Sequence, residues 1–407
     1  LLAALLCACK SKPSQRERYL TDGDFRRQAL VESLVNPDNS YSRQRLSSYG
    51  LKTAGWDLLP VWNPRSIRLP VDKEQGKIAP LWDGAAPADW ATLGREVFFG
   101  YPLRAEPLVE LAITDPKLAE SVGLEKDGAG AYVGLVQFVD VDGRSRVGIS
   151  CALCHAAVVD GAIVPGVARR HLDYGKLKLA FHARTGAPLD AELAQRMATW
   201  GAGRADVTED KDEDPVAIPD LFGLAEQSFF TQAGTIRNTG PVALAIRQET
   251  QLLHSNHEKV RPPRELAWAL AMYLLSLTPP PQQVAVTAET ERGSKLFARG
   301  CSECHSNAAG GGAPVDAARV GTDLAFANGA ARGTGKYRPP ALLRVRDNGP
   351  YLHHGAISTL DELLSPARLS ASYSGSPLGP GPVPGHEWGT DWPAEDRAAV
   401  VAYLETL

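Results

Sequence analysis

The chain has 407 residues, 44% apolar and 22% charged, with 43 Lys and Arg against 47 Asp and Glu for a net charge of −4. That length allows two or three domains with full cores, and the balance excludes the basic surplus of a nucleic-acid binder and the acidic block of a disordered tail. With 30 prolines and 38 glycines, elements must be short and turns frequent.

The chain opens on LLAALLCACK, an apolar run ending in Cys9 that resembles the tail of a secretory signal with a lipoprotein acylation site. Residues 1–9 are therefore expected to be a signal and lipobox remnant. Lys10 stands where an aspartate would retain a lipoprotein at the inner membrane, so the expected place is the periplasm, anchored at the outer membrane of a Gram-negative bacterium. No later stretch reaches about 18 uninterrupted apolar residues, so a lipid anchor is the only membrane contact expected. Residues 10–88 show no recognisable chemistry; Trp56 and Trp62 among prolines suggest an extended segment wrapped over the first domain, and only the first twenty or so residues suit a flexible tether.

From residue 89 onward one plan occurs twice. A helix carrying Gly94-Arg95-Glu96-Val97-Phe98 leads towards Cys151-x-x-Cys154-His155, and one carrying Gly293-Ser294-Lys295-Leu296-Phe297 leads into Cys301-x-x-Cys304-His305. After each motif comes a Pro-x-Leu segment: residues 219–234 align without a gap on 340–355, pairing Pro219 with Pro340, Leu221 with Leu342 and Gly234 with Gly355. The repeated order predicts an internal duplication. In the first copy residues 131–150 alternate around Asp142-Gly143, which predicts a β-hairpin inserted before the cysteines. Residues 262–277 and 393–407 each open on proline and acid and continue apolar, as helices do. The proline-rich run 277–287 is the expected boundary. Elsewhere the pattern is helical, so an all-α fold is expected in two domains, 89–278 and 279–407, with one small hairpin insertion in the first.

The cysteines come as three close pairs, Cys7/Cys9, Cys151/Cys154 and Cys301/Cys304, unlike a scattered disulfide framework. Cys-x-x-Cys-His is the pattern of covalent c-type haem attachment: both thiols add to the haem vinyl groups and the histidine becomes the proximal iron ligand. A structural zinc site needs four ligands together, so the two pairs would have to meet in the fold. A redox dithiol explains neither the histidine nor the helical surroundings. Two haems c, bound by Cys151, Cys154, Cys301 and Cys304 and ligated by His155 and His305, are expected.

Two such domains in one exported chain resemble the bacterial di-haem cytochrome c peroxidase superfamily, and YRPPALLRVRDNGPYLHHGAISTLDELL at 337–364 is similar to that family's signature. The C-terminal motifs are closest to the rubber-oxygenase-like branch. The resemblance covers roughly residues 90–407 and implies an all-α pair of cytochrome c-like domains, a C-terminal haem that passes electrons and an N-terminal haem that reacts with peroxide or dioxygen. The peroxidases usually ligate the C-terminal iron with a methionine before the final helix. Here the two methionines, Met197 and Met272, both precede Cys301, and His386 stands at the matching place. His386 is the expected sixth ligand, with His353 and His354 as rivals. His171 has the family's offset for a removable distal histidine of the first haem, beside Arg169 and Arg170, which suit haem propionates. Trp200 resembles an inter-haem relay, Gln232 aligns with His353 as a distal-pocket candidate, and Glu249 is the first carboxylate after it, a candidate acid-base group. A calcium ion between the domains is also implied. Partners expected are a small redox protein or a quinol-linked donor or acceptor, with peroxide, dioxygen or an organic substrate. The competing reading is a non-catalytic electron-transfer cytochrome with both irons six-coordinate.

Overall fold

The computed structural model describes residues 12–50, 67–68, 81–206, 214–257, 259–281 and 285–407. The residues of the expected signal, and Trp56 and Trp62, lie outside them. Among the described residues there are sixteen α-helices and twelve short strands, so the fold is mixed rather than all-α. The strands are the extended connections that the many Gly and Pro residues enforce, and they satisfy their backbone groups by pairing locally, mostly in twos.

The expected hairpin is present, Leu135–Val139 against Ser145–Ile149, with Gly143 at φ +77° in its turn, a conformation glycine reaches without strain. It belongs to a four-stranded sheet that also holds Ile67–Arg68 and Arg104–Ala105.

Two helix crossings organise the core. Trp90–Gly100 starts where Asp89 accepts hydrogen bonds from the amides of Ala91 and Thr92, and it packs on Arg264–Ser276. Ala288–Gly300 starts on a Thr287/Thr290 capping box and packs on Ala394–Leu404. Each crossing closes on a glycine. A Cβ on Gly94 would lie 2.0 Å from the Ala269 carbonyl oxygen and 2.6 Å from Tyr273 Cβ; one on Gly293 would lie 1.9 Å from the Ala399 oxygen and 2.7 Å from Tyr403 Cβ. One turn further, Phe98 meets the Tyr273 ring at 5.4 Å and Phe297 meets the Tyr403 ring at 5.4 Å. The two crossings thus match residue for residue at the same spacings.

Residues 14–50 hold three helices, Gln15–Thr21, Gly23–Ser33 and Ser40–Gly50, and they reach beyond the first half of the molecule. Tyr19 is fully buried against Trp268, with ring centroids 5.7 Å apart. The tyrosine hydroxyls of Tyr19 and Tyr49 both donate to Glu249, at 2.9 and 2.5 Å. Meanwhile Asn36 donates to the Gly333 carbonyl at 2.7 Å and the Ser40 amide to that of Ala330 at 2.8 Å. This segment straps the first half to the second.

Candidate functional site

Both Cys-x-x-Cys-His motifs fold into the same tight turn. The His155 amide donates to the Cys151 carbonyl at 3.1 Å, and the His305 amide to that of Cys301 at 3.1 Å. The second motif follows directly on its helix, whose C-cap is Cys301. All four thiols are free. Burial pushes the Cys151 thiol up to about 12 and those of Cys154 and Cys301 to about 11, which is contrary to the lowered values of a redox dithiol. The two pairs do not converge, and among the described residues no three His, Cys, Asp or Glu side chains form a cage for a metal. A shared zinc site is therefore not built, and the expected calcium has no side-chain cage.

The two motif histidines are oriented through Nδ1. That of His155 bonds the Pro219 carbonyl at 3.0 Å. That of His305 bonds the Gly310 carbonyl at 2.6 Å, with the Pro340 carbonyl alongside. A ring that donates Nδ1–H to a carbonyl keeps its lone pair on Nε2, the form a metal ligand needs. Burial holds His155 down to about 4 and lowers His305 as well, so both rings are neutral at pH 7.

An apolar cleft opens beside Cys301 and His305, lined by Leu342, Leu360, Leu364, Val400 and Leu404 and closed on the far side by His386 and Trp388. The His305 and His386 ring centroids are 6.3 Å apart at an interplanar angle of 67°. An iron bonded at ~2 Å by one nitrogen of each ring would place the centroids roughly 6 Å apart, so the pair fits two axial ligands. His386 sits at φ +50°, which costs a non-glycine residue of order 1–3 kcal/mol. The loop is fixed by its amide, which donates to Val320 at 2.7 Å, and by Arg368. That fully buried guanidinium donates to the carbonyls of Val383, Leu363, Gly385 and His386. Burial holds the His386 ring at about 4, and its Nδ1 is buried without a partner. Nothing in the sequence around Arg368 signals this role.

His353 also lines this cleft, but both rivals already have hydrogen-bond partners. His353 Nε2 meets the Tyr337 hydroxyl at 3.2 Å, and His354 Nδ1 accepts from the Ala356 amide at 3.2 Å.

At the first motif several expectations change. His171 is 84% exposed, 3.8 Å from Glu125. The reason is local: its neighbours Arg169 and Arg170 turn inward, and the strand of chain that buries them points His171 out. Both arginines are partly engaged by the protein, though Arg169 Nη1 and Arg170 Nε take no partner among the described residues and Arg170 lines the C-terminal cleft. Arg169 donates to the Ala152 and Ala156 carbonyls, clamping the haem-peptide turn, and Arg170 donates to Ile218 and Asp220. Glu249 is fully buried, taken by Tyr19, Tyr49 and Arg264 at 3.0 Å, and is no distal acid. Gln232 donates to the Ala217 carbonyl at 2.9 Å and lines the second cleft, not a pocket of its own. Trp200 is 1% exposed in the cluster that holds Leu153 of the first motif, with Lys178 Nζ 4.6 Å above its ring. The charged group whose field reaches both Cys151 and His155 is Arg247, which sequence reading passed over.

Across the seam Asp220 is clamped between Arg170 at 2.9 Å and Arg344 at 3.2 Å. Its neighbour Pro219 holds His155, so this ion cluster ties the first motif to the second half.

Two thiols and a neutral, carbonyl-anchored imidazole on one turn, facing a second imidazole across an apolar cleft, define a c-type haem site. The comparison with protein families agrees: residues 290–407 match the cytochrome c family, and this part of the chain is a cytochrome c domain with covalently bound haem c. No significant match exists among curated proteins.

Proposed function

We propose that the chain is an exported di-haem c-type oxidoreductase. Haem domains at 89–278 and 279–407, descended from one duplicated unit, each carry a covalent haem. The matched glycine crossings and the repeated haem-peptide turns support the duplication. Bound haem supplies one-electron chemistry; the protein sets which iron face is open.

The observation that carries the reading is an asymmetry. His305 has a facing imidazole in His386. Among the described residues no second histidine ring packs against His155, and His171 is exposed. The C-terminal haem is then six-coordinate and passes electrons, exchanging them with a small redox protein or a quinol-linked partner. The N-terminal haem has a face free for peroxide or dioxygen.

Carbon monoxide added to the dithionite-reduced protein tests this. The expected result is a Soret shift amounting to one haem of two. An unchanged Soret band leaves both irons closed and returns the alternative, a pure electron carrier. That second reading draws support from Glu249, whose carboxylate is consumed by structural bonds.

A further inference from the structure

Arg338 enters the C-terminal cleft from the segment just before Pro340. Its protein partners are all neutral: Nε donates to the Thr231 carbonyl at 3.0 Å, and Nη1 to Gln227 Oε1 at 2.6 Å and more weakly to the Pro339 carbonyl at 3.4 Å. Its backbone amide donates a hydrogen bond to the Gln232 carbonyl at 2.8 Å. Among the described residues no carboxylate pairs with it, whereas the neighbouring cations Arg170 and Arg344 both pair with Asp220. Among the described residues no acceptor meets the second terminal nitrogen, Nη2, and the side chain lines the cleft. Burial lowers the guanidinium to about 10, so it is still a cation at neutral pH.

A buried charge without a counter-ion is expensive and is normally paired. The occupant of this cleft must therefore bring the anion. Haem c carries two propionate carboxylates, and a guanidinium fork matches a carboxylate with two parallel donors. We infer that Arg338 is the counter-ion of a propionate of the C-terminal haem, and that the first half of the molecule, through Gln227 and Thr231, sets where that charge lies. Arg338 belongs to one half while its two strongest acceptors belong to the other. The potential of the C-terminal haem is thus tuned across the seam, with Gln227 as a positioning residue.

The inference rests on haem at Cys301 and Cys304, so the experiment separates the two. Haem-loaded parent, Arg338→Gln, Arg338→Lys and Gln227→Ala are prepared, and a pyridine haemochrome assay first counts the haem. Thioether attachment keeps haem in every variant; a parent without haem overturns the underlying reading instead. Spectroelectrochemical titration across pH then reads the inference. Removing the cation leaves the carboxylate charge to favour ferric iron, so Arg338→Gln lowers the midpoint potential at neutral pH. The gap to the parent closes in acid, where the freed propionate protonates. Gln227→Ala shifts the potential in the same direction by less. If Arg338→Gln yields no folded protein, the propionate bending band in the resonance Raman spectrum of ferrous Arg338→Lys replaces it; a displaced band supports the pairing, because an ammonium cannot reproduce the fork. Parent-like potential and pH dependence in Arg338→Gln, or a parent-like band in Arg338→Lys, overturns it.

Discussion

A fully buried carboxylate that accepts from two phenols and a guanidinium is held in structural bonds rather than offered to a substrate. Glu249 is in that state, and its work is to hold the strap. Glu249→Ala removes the buried acceptor shared by Tyr19, Tyr49 and Arg264, so it should cost about 3–5 kcal/mol of stability, read by urea unfolding. The rate at which the surviving folded protein reacts with peroxide should stay unchanged; a selective loss of that rate without loss of stability returns Glu249 to the chemistry. His386 is the opposite kind of residue, one whose Nδ1 is buried without a protein partner on a loop with a left-handed backbone at that position. His386→Ala should convert one low-spin haem signal to high spin in low-temperature EPR, and an unchanged low-spin signal rules the ligation out. Sequence position alone singled out His386, because the loop before a final helix has few histidines to choose from. It misplaced His171 for want of one fact, which way Arg169 and Arg170 turn.

Among elements, the two glycine crossings bear most of the geometry. The backbones approach so closely at Gly293 that an added Cβ meets a carbonyl oxygen at 1.9 Å, a contact only backbone movement can relieve. Gly293→Ala should therefore destabilise the second half by about 3 kcal/mol, measured as a lowered melting temperature of the visible haem band, whereas the same exchange at an uncrowded helical position stabilises. The helices at these crossings were legible because their apolar spacing, proline starts and acidic first turns are local signals. The hairpin was legible for the same reason, through alternation around Asp142-Gly143. The short paired strands were not, because two-residue pairings carry no periodicity and are chosen by which loops happen to meet.

At the scale of the whole molecule, residues 14–50 decide whether the halves move together. The strap is pinned at one end by the Ser48 hydroxyl, 3.0 Å from His254 Nε2. Burial holds His254 down to about 3 in the fold, against about 6.5 in the unfolded chain. The folded state therefore binds fewer protons, and the stability is complete above pH 6.5 and falls as the pH drops below it. At pH 5 the loss from this one group is about 2 kcal/mol. Hydrogen exchange at pH 7 and pH 5 should show residues 40–50 loosening first, and His254→Asn should flatten the pH dependence; an unchanged slope in that variant assigns it to other groups.

Covalent haem attachment was determined by sequence alone, since thioether chemistry demands two thiols and an imidazole within five consecutive residues and no distant part of the chain takes part. The assignment of His155 and His305 as proximal ligands and the order of the main helices rest on the same local logic. The distal side of each iron, the counter-ion of the cleft and the strap are made of residues up to 297 positions apart. Which of them meet depends on how helices cross and which way neighbouring side chains face, and only the folded chain decides that.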